Sequence, residues 1–426
     1  MQKHLMEYLD MIVQRVPEKL AFSDGETSLT FHETREQARR IGSFLSAHGH
    51  DREPVVVFMA RGPRPIVAFF GVLYAGCYYV ALDQEMPAHR IELILRELRP
   101  KALICDDSTC ELAAELSPDS AMYHYDEMIL AAEDADRLAD RQTRAIDTDP
   151  AYIVFTSGST GIPKGVIANH RSVIRYVETL SELLDFGPDT VFGNQTPLYF
   201  DACLKEIIPT LKFGATTYII PKQLFMFPLR LVEYLNTHRI NTICWVVSAL
   251  TMVSGLGVLE QLVPEHLKTI AFASEVFPIK QFNRWRQALP EARFINLYGP
   301  TETTGVCCYY EVDREFQLDE VIPIGRPFPN TEILLLDEHQ KIPAPDQPGE
   351  ICIRGTSLTM GYYRDPEKTQ AAFVQNPLND AYPELIYRTG DLGRLNERGE
   401  LVFMSRLDQQ IKHMGHRIEL GEIEVI

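Results

Sequence analysis

The chain has no C-x-x-C pair, no internal repeat and no low-complexity tract. It also lacks a long apolar run. The longest uncharged stretch, residues 66–82, only reaches the lower limit for a membrane span, and two glycines interrupt it. A buried helix followed by a buried strand accounts for it better. The N-terminus MQKHLMEYLDMI mixes Asp and Glu with its apolar residues, so it does not read as a signal peptide. Basic charge is in short supply, with 41 Lys and Arg against 59 Asp and Glu and a net charge of −18. So acidic a surface repels a phosphate backbone, which argues against nucleic acid as a partner. No segment points to a membrane partner. A pocket sets its own field, so a nucleotide ligand stays open. The eight cysteines, Cys77, Cys105, Cys110, Cys203, Cys244, Cys307, Cys308 and Cys352, are scattered, several within apolar runs. They read as buried reduced thiols of a cytoplasmic protein.

What remains is ordinary globular composition, 426 residues with 45% hydrophobic and 23% charged. That length suggests roughly two to four packed units, or one large α/β unit with subdomains. Helical periodicity appears at Leu5, Leu9, Ile12 and Val13, and again at Val173, Val177, Leu180 and Leu184. Short apolar runs at 55–59, 102–105, 151–155, 217–220, 242–247 and 269–272 read as buried parallel strands. Helices between such strands predict a doubly wound α/β architecture. From about residue 323 the pattern changes. Strand-like runs at 332–336, 350–354 and 400–404 predict a smaller β-rich subdomain over about 323–405. The last stretch, 406–426, reads as a new strand and an acidic helix start.

The strongest local signal is TSGSTGIPKG, residues 156–165. It follows the strand AYIVF and is expected to precede a helix. Glycines, hydroxyl residues and one lysine make a loop rich in backbone N–H groups that can wrap phosphate oxygens. The loop does not fit a Walker A pattern, and it holds no G-x-S-x-G elbow. The plain alternative is a surface loop, where Gly, Ser and Thr gather anyway.

Further landmarks follow in order: SLTFHE at 28–33, LYAGCYYVALD at 73–83, YFDA at 199–202, NLYGPTE at 296–302, GEICIRG at 349–355, YRTGD at 387–391 and RLDQQIKHMGHRIELGEIE at 406–424. With the glycine-rich loop, this series resembles the adenylation domains of the adenylate-forming superfamily. It is similar to the amino-acid-activating domains of nonribosomal peptide synthetases and to D-alanyl carrier protein ligases. The resemblance implies two α/β subdomains, the β-rich subdomain, an adenylation core over 1–405, and a hinge with the first residues of a C-terminal subdomain over 406–426. It implies a two-step reaction. A carboxylate attacks the α-phosphate of MgATP to give an acyl-adenylate and pyrophosphate; the acyl group then passes to a phosphopantetheine thiol on a carrier protein. Such chemistry needs placed positive charge and a metal more than a nucleophilic side chain.

The resemblance also implies residue roles. Thr156, Ser157, Gly158, Ser159, Thr160, Gly161 and Lys164 would handle the β- and γ-phosphates. Glu302 would ligate Mg²⁺, a hard cation suited to a carboxylate; otherwise it is a surface glutamate. Tyr298 would stack on adenine, with Asn296 and Gly299 beside it, and Thr301 would contact the α-phosphate. Asp391 would accept both ribose hydroxyls, unless it is a turn aspartate before Leu392 and Gly393. Arg406 would reach the ribose or phosphate, or else lie solvated on the surface. Asp408 would be the hinge about which the family's second subdomain swings.

Asp201 matches the aspartate that holds the α-ammonium group in amino-acid-activating members, which predicts an amino acid substrate. The competing reading is a helix N-cap before LKEIIPTL. The other pocket positions fall on Ala202, Lys205, Cys244, Ala271, Ala273, Leu297, Gly305 and Val306, and Cys244 could slip to Trp245. Four of them are Ala or Gly, which predicts an uncramped pocket. Lys205 would pair with an acidic substrate side chain, or else with Glu206 or another protein carboxylate, or point to solvent. Where the family often has Gly-Gly-Glu, this chain has Ala273, Ser274 and Glu275. The family's catalytic lysine lies near the end of its second subdomain, beyond the last motif here. The chain as given is therefore expected to bind its substrates but to adenylate slowly. The opening Met1, with no condensation domain before it, reads as a free-standing ligase or an initiation module. The alternatives are an acyl- or aryl-CoA synthetase of the same fold, or a non-catalytic nucleotide-binding module.

Overall fold

Runs of Val, Ile, Tyr and Phe form strands, and amphipathic helices connect them, so the chain winds into two stacked sheets and a third small one. The computed structural model describes residues 2–158, 162–408, 410–413 and 416–419. The first sheet has six strands in the order Ala121–His124, Ala102–Cys105, Pro54–Phe58, Tyr78–Leu82, Pro150–Thr156 and Lys164–Asn169. Its first five strands run parallel and the last is antiparallel. The second sheet has nine, ordered Arg326–Pro327, Cys308–Glu311, Arg293–Tyr298, Thr269–Ala273, Thr242–Val246, Val191–Asn194, Thr216–Ile219, Leu20–Ser23 and Ser28–Thr30.

Helices fill the space between the sheets and cover both outer faces. Met6–Val13, Phe31–Ala47, Pro63–Tyr74, His170–Leu184 and Leu204–Phe213 bury their apolar stripes in one core shared with strand residues of both sheets. Phe31–Ala47 starts where it does because Thr30 and Glu33 form a capping box. Outside the nine-stranded sheet, Pro228–Thr237, Val247–Gly255 and Ile279–Ala288 build a second core around Trp245 and Trp285. Outside the six-stranded sheet, Ala88–Leu98 and Cys110–Leu116 build a third. The stretch 66–82 resolves into the buried helix Pro63–Tyr74 and the strand Tyr78–Leu82, as its composition implied. Among the described residues no helix is long and apolar enough to cross a membrane.

The third sheet is antiparallel. Thr331–Leu336, Gly349–Gly355, Leu385–Leu395 and Phe373–Gln375 lie side by side, and Leu401–Arg406 pairs with Leu385–Leu395. Beyond it, Gln410–His413 and His416–Glu419 form a hairpin.

The reading of eight reduced thiols fails at two positions. Cys105 ends a strand and Cys110 opens the next helix, and the turn between them brings their Cα atoms to 5.2 Å in a disulfide. Thr109 fixes that turn, donating from its hydroxyl to the carbonyl of Phe58 (2.6 Å). The other six cysteines are free and buried.

Candidate active site

The glycine-rich loop joins Pro150–Thr156 to Lys164–Asn169, and Thr156 lies directly opposite Lys164 in the antiparallel ladder. The expected passage from loop into helix is therefore corrected. KGVIAN forms an edge strand first, and the helix His170–Leu184 begins only after it. The loop thus leads into a strand and not into a helix N-terminus, which leaves backbone N–H groups and Lys164 as its sources of positive character. A Cβ on Gly158 would stand 2.1 Å from the carbonyl oxygen of Ile162, so only glycine fits there. Thr156 and Ser157 are buried, and the Thr156 hydroxyl has no hydrogen-bond partner among the described residues. Ser159, Thr160 and Gly161 lie outside the described residues.

Three parts of the chain converge on one carboxylate. Glu302 sits in the 3₁₀ turn Thr301–Thr303 and is fully buried, unlike a surface glutamate. Lys164 Nζ approaches its Oε1 at 3.3 Å. The Tyr362 hydroxyl donates to the same oxygen at 2.9 Å and accepts from Lys164 Nζ at 3.2 Å. The ammonium also lies 4.8 Å from the centre of the Tyr362 ring. A buried carboxylate is tolerable only with such partners.

A second chain of charge runs beside it. Asp391 is buried in mid-strand, opposite Arg406, so the turn-aspartate reading is corrected. Its Oδ2 accepts from the Tyr298 hydroxyl (2.5 Å) and its Oδ1 from Arg406 Nη1 (2.5 Å). Arg406 is not a solvated surface arginine. Its side chain is 11% exposed, and it grips both oxygens of Asp408 at 2.6 Å. Burial and the adjacent Asp391 push the Tyr298 phenol well above its ordinary range. Asn296 donates to the carbonyl of Pro323 (2.9 Å) and so pins the chain leading to the third sheet. At Gly299 a Cβ would meet the carbonyl of Gly305 at 2.6 Å, which keeps this turn closed on itself.

Asp201 opens a 3₁₀ turn, and the helix after it has Cys203 at its N-cap with no side-chain cap. The helix-cap reading of Asp201 is therefore corrected. Its carboxyl is buried, receives a hydrogen bond from Thr301, and keeps Oδ2 without a partner. Burial raises its pKa to about 6, with Lys205 pulling down and Glu302 pushing up. Lys205 is 3% exposed and, among the described residues, makes no ion pair within 4.0 Å. It neither points to solvent nor bonds Glu206. Glu206 takes the Asn194 amide instead, leaves Oε1 unpartnered, and is pushed up to about 7 by burial.

Strand alternation resolves the slip at Cys244. In the parallel register Cys244 lies beside Ala271, and Val246 beside Ala273, which in turn neighbours Leu297. Cys244, Ala271, Ala273, Leu297 and Val306 share the inter-sheet core, whereas Trp245 faces the outer core and donates to the Gly193 carbonyl. Ala202 is half-buried beside Asp201. The space opened by Gly305 is partly filled. A Cβ there would stand 3.2 Å from the Tyr176 ring, whose buried hydroxyl has no partner.

Tyr176 and Tyr362 are the two residues that sequence reasoning missed. The only signal for Tyr362 was a tyrosine pair after Gly361, between GEICIRG and YRTGD. For Tyr176 it was a bulky polar aromatic on the inner face of an otherwise aliphatic helix. As for a metal, the buried Glu302 carboxylate and the orphaned Thr156 hydroxyl, across the ladder from Lys164, offer oxygen donors alone. That is the sort of set Mg²⁺ takes when phosphates complete its shell.

The profile of the family described as AMP-binding enzyme matches residues 9–363. Chondramide synthase cmdD of Chondromyces crocatus is 33% identical over 420 residues, covering 96% of this chain and 10% of that protein. Gramicidin S synthase 2 of Brevibacillus brevis is 31% identical over 415 residues, covering 97% of this chain and 9% of that protein. The chain thus spans about a tenth of the length of either synthase. The crystal structure of the nonribosomal peptide synthetase FmoA3 has a TM-score of 0.84 at 26% identity, covering 95% of this chain and 42% of that one.

Proposed function

The chain belongs to the AMP-binding enzyme family, as an adenylation domain of the nonribosomal peptide synthetase type, and from that premise we propose that it activates an amino acid as its aminoacyl-adenylate. The observation that carries the amino acid is Asp201, a buried carboxylate with one unpartnered oxygen, linked through Thr301 to the Glu302 turn. An α-ammonium group is the partner that oxygen lacks.

In this reading the substrate carboxylate oxygen attacks the α-phosphorus. The bond from that phosphorus to the bridging oxygen breaks, and pyrophosphate leaves with the electron pair. Asp201 holds the ammonium end and Thr301 sits between it and the phosphate. Lys164 and the backbone N–H groups of the glycine-rich loop take up charge on the leaving phosphates. Asp391 orients the ribose, and Tyr298 offers its ring to the base. Glu302 would hold magnesium, which supplies further positive charge against the phosphates. Transfer to a carrier-protein thiol belongs to the same proposal.

Lys205 refines the substrate. A buried ammonium that has no ion pair within 4.0 Å among the described residues suits an acidic side chain, so glutamate or aspartate is the amino acid we favour. The test is a thermal-shift panel of non-hydrolysable aminoacyl-adenylate mimics, since binding needs no turnover. A ligand at 100 times its Kd adds about 2.7 kcal/mol, which is easily read. A selective shift with the glutamyl or aspartyl mimic, lost in Lys205→Met, is the expected result. A shift with ATP but with no aminoacyl mimic would overturn the amino acid reading in favour of an acyl or aryl substrate.

A further inference from the structure

Lys164, Glu302 and Tyr362 come from three different sheets or their connections, 198 residues separating the first from the last. Glu302 and Tyr362 are buried, the Lys164 side chain is 14% exposed, and the tyrosine touches both charges. The segment that carries Tyr362 is itself fastened on both sides. Met360 N donates to Ile167 O (2.8 Å), Ile167 N to Gly361 O (3.0 Å) and Tyr363 N to Gly165 O (2.7 Å), while Thr359 N donates to Glu302 O (3.0 Å). The ring packs against Phe373 with centroids 6.1 Å apart. The hydroxyl is thus held at a fixed point between the phosphate loop and the metal-site carboxylate.

We infer that Tyr362 is a positioning residue that keeps Glu302 aimed while Lys164 changes partner. This rests on the adenylation reading above. In the structure the ammonium and the hydroxyl both reach Oε1 of Glu302. Phosphates that draw Lys164 away would leave that oxygen with one donor less. The Tyr362 hydroxyl stays, because its segment is tied to Gly165, Ile167 and Glu302 by main-chain hydrogen bonds that do not depend on the Lys164 ammonium. It holds Oε1 and so keeps the carboxylate aimed at a divalent cation. The residue therefore acts on the metal-dependent part of nucleotide binding and not on adenosine recognition.

The experiment measures the affinity of the full chain for a non-hydrolysable ATP analogue at stepped Mg²⁺, and for AMP without metal. For Tyr362→Phe the Mg²⁺-dependent gain in affinity should fall at least tenfold, with AMP affinity kept within about twofold. Phe373→Leu, which loosens packing on the ring but keeps the hydroxyl, should retain the gain. An unchanged gain in Tyr362→Phe overturns the inference and leaves the adenylation reading standing. So does an equal loss in Phe373→Leu, which would make the effect one of packing. A wild-type chain with no Mg²⁺-dependent affinity at all overturns both. If Tyr362→Phe does not melt cooperatively, Thr369→Val takes its place, since Thr369 Oγ1 accepts from Tyr362 N at 3.0 Å. A partial loss of the gain is then expected, and an unchanged gain counts against the inference.

Discussion

Asp201 bears a desolvation cost that Lys205 and the hydrogen bond from Thr301 offset only in part. Its carboxyl, raised to about 6 by burial, is protonated in mildly acidic solution. A protonated carboxyl cannot hold an ammonium ion by charge. Affinity for an aminoacyl-adenylate mimic should therefore rise as pH climbs through about 6 and level off above it. Isothermal titration from pH 5 to 8 would show this slope. It should vanish in Asp201→Asn and for a mimic lacking the α-amine. Truncation to Asp201→Ala should cost about 3–5 kcal/mol of mimic affinity. Asp201 and Lys205 were singled out in the sequence by the motif they match, and the structure buries both. Tyr362 was not singled out. Its role exists only once residues 198 apart meet, and a tyrosine between two β runs looks like any core aromatic.

At the scale of elements, short apolar runs placed nine of the strands to within a residue or two, including Pro54–Phe58, Thr242–Val246 and Thr331–Leu336. Alternation also puts Cys244 in the inter-sheet core and Trp245 in the outer one. The short N-terminal strands Leu20–Ser23 and Ser28–Thr30 escaped notice, since four and three residues carry too little periodicity. The loop-to-helix expectation failed for a related reason: KGVIAN is a six-residue strand with only Val166 and Ala168 as buried apolar side chains on one face, too short a run to show its period. One strand end carries a visible strain. Thr269–Ala273 exits through Ser274 at φ 78°, a left-handed conformation in which a side chain crowds its own backbone. Glycine often stands there in the resembling family. Ser274→Gly should raise stability by about 0.5–1 kcal/mol, the steric relief exceeding the added unfolded-state entropy. Denaturant titration would show the midpoint move upward with an unchanged slope.

Taken whole, the molecule is a layered body in which the two large sheets share one core. Arg61 also spans them, donating to the Asn194 and Ile220 carbonyls of the second sheet at 3.0 and 2.8 Å. The third sheet does more than carry Asp391. Its 360–363 segment lies along Lys164–Asn169, which would otherwise be the outermost strand of the first sheet. An uncovered outermost strand offers a row of unpaired N–H and C=O groups to any passing chain. A shortened protein ending at residue 330 would present that row, with Val166 and Ala168 on its inner face. It should self-associate in a concentration-dependent way, seen by light scattering, where the 426-residue chain does not. The small sheet is thus also a guard against aggregation, sealing a seam that the larger sheets cannot close themselves.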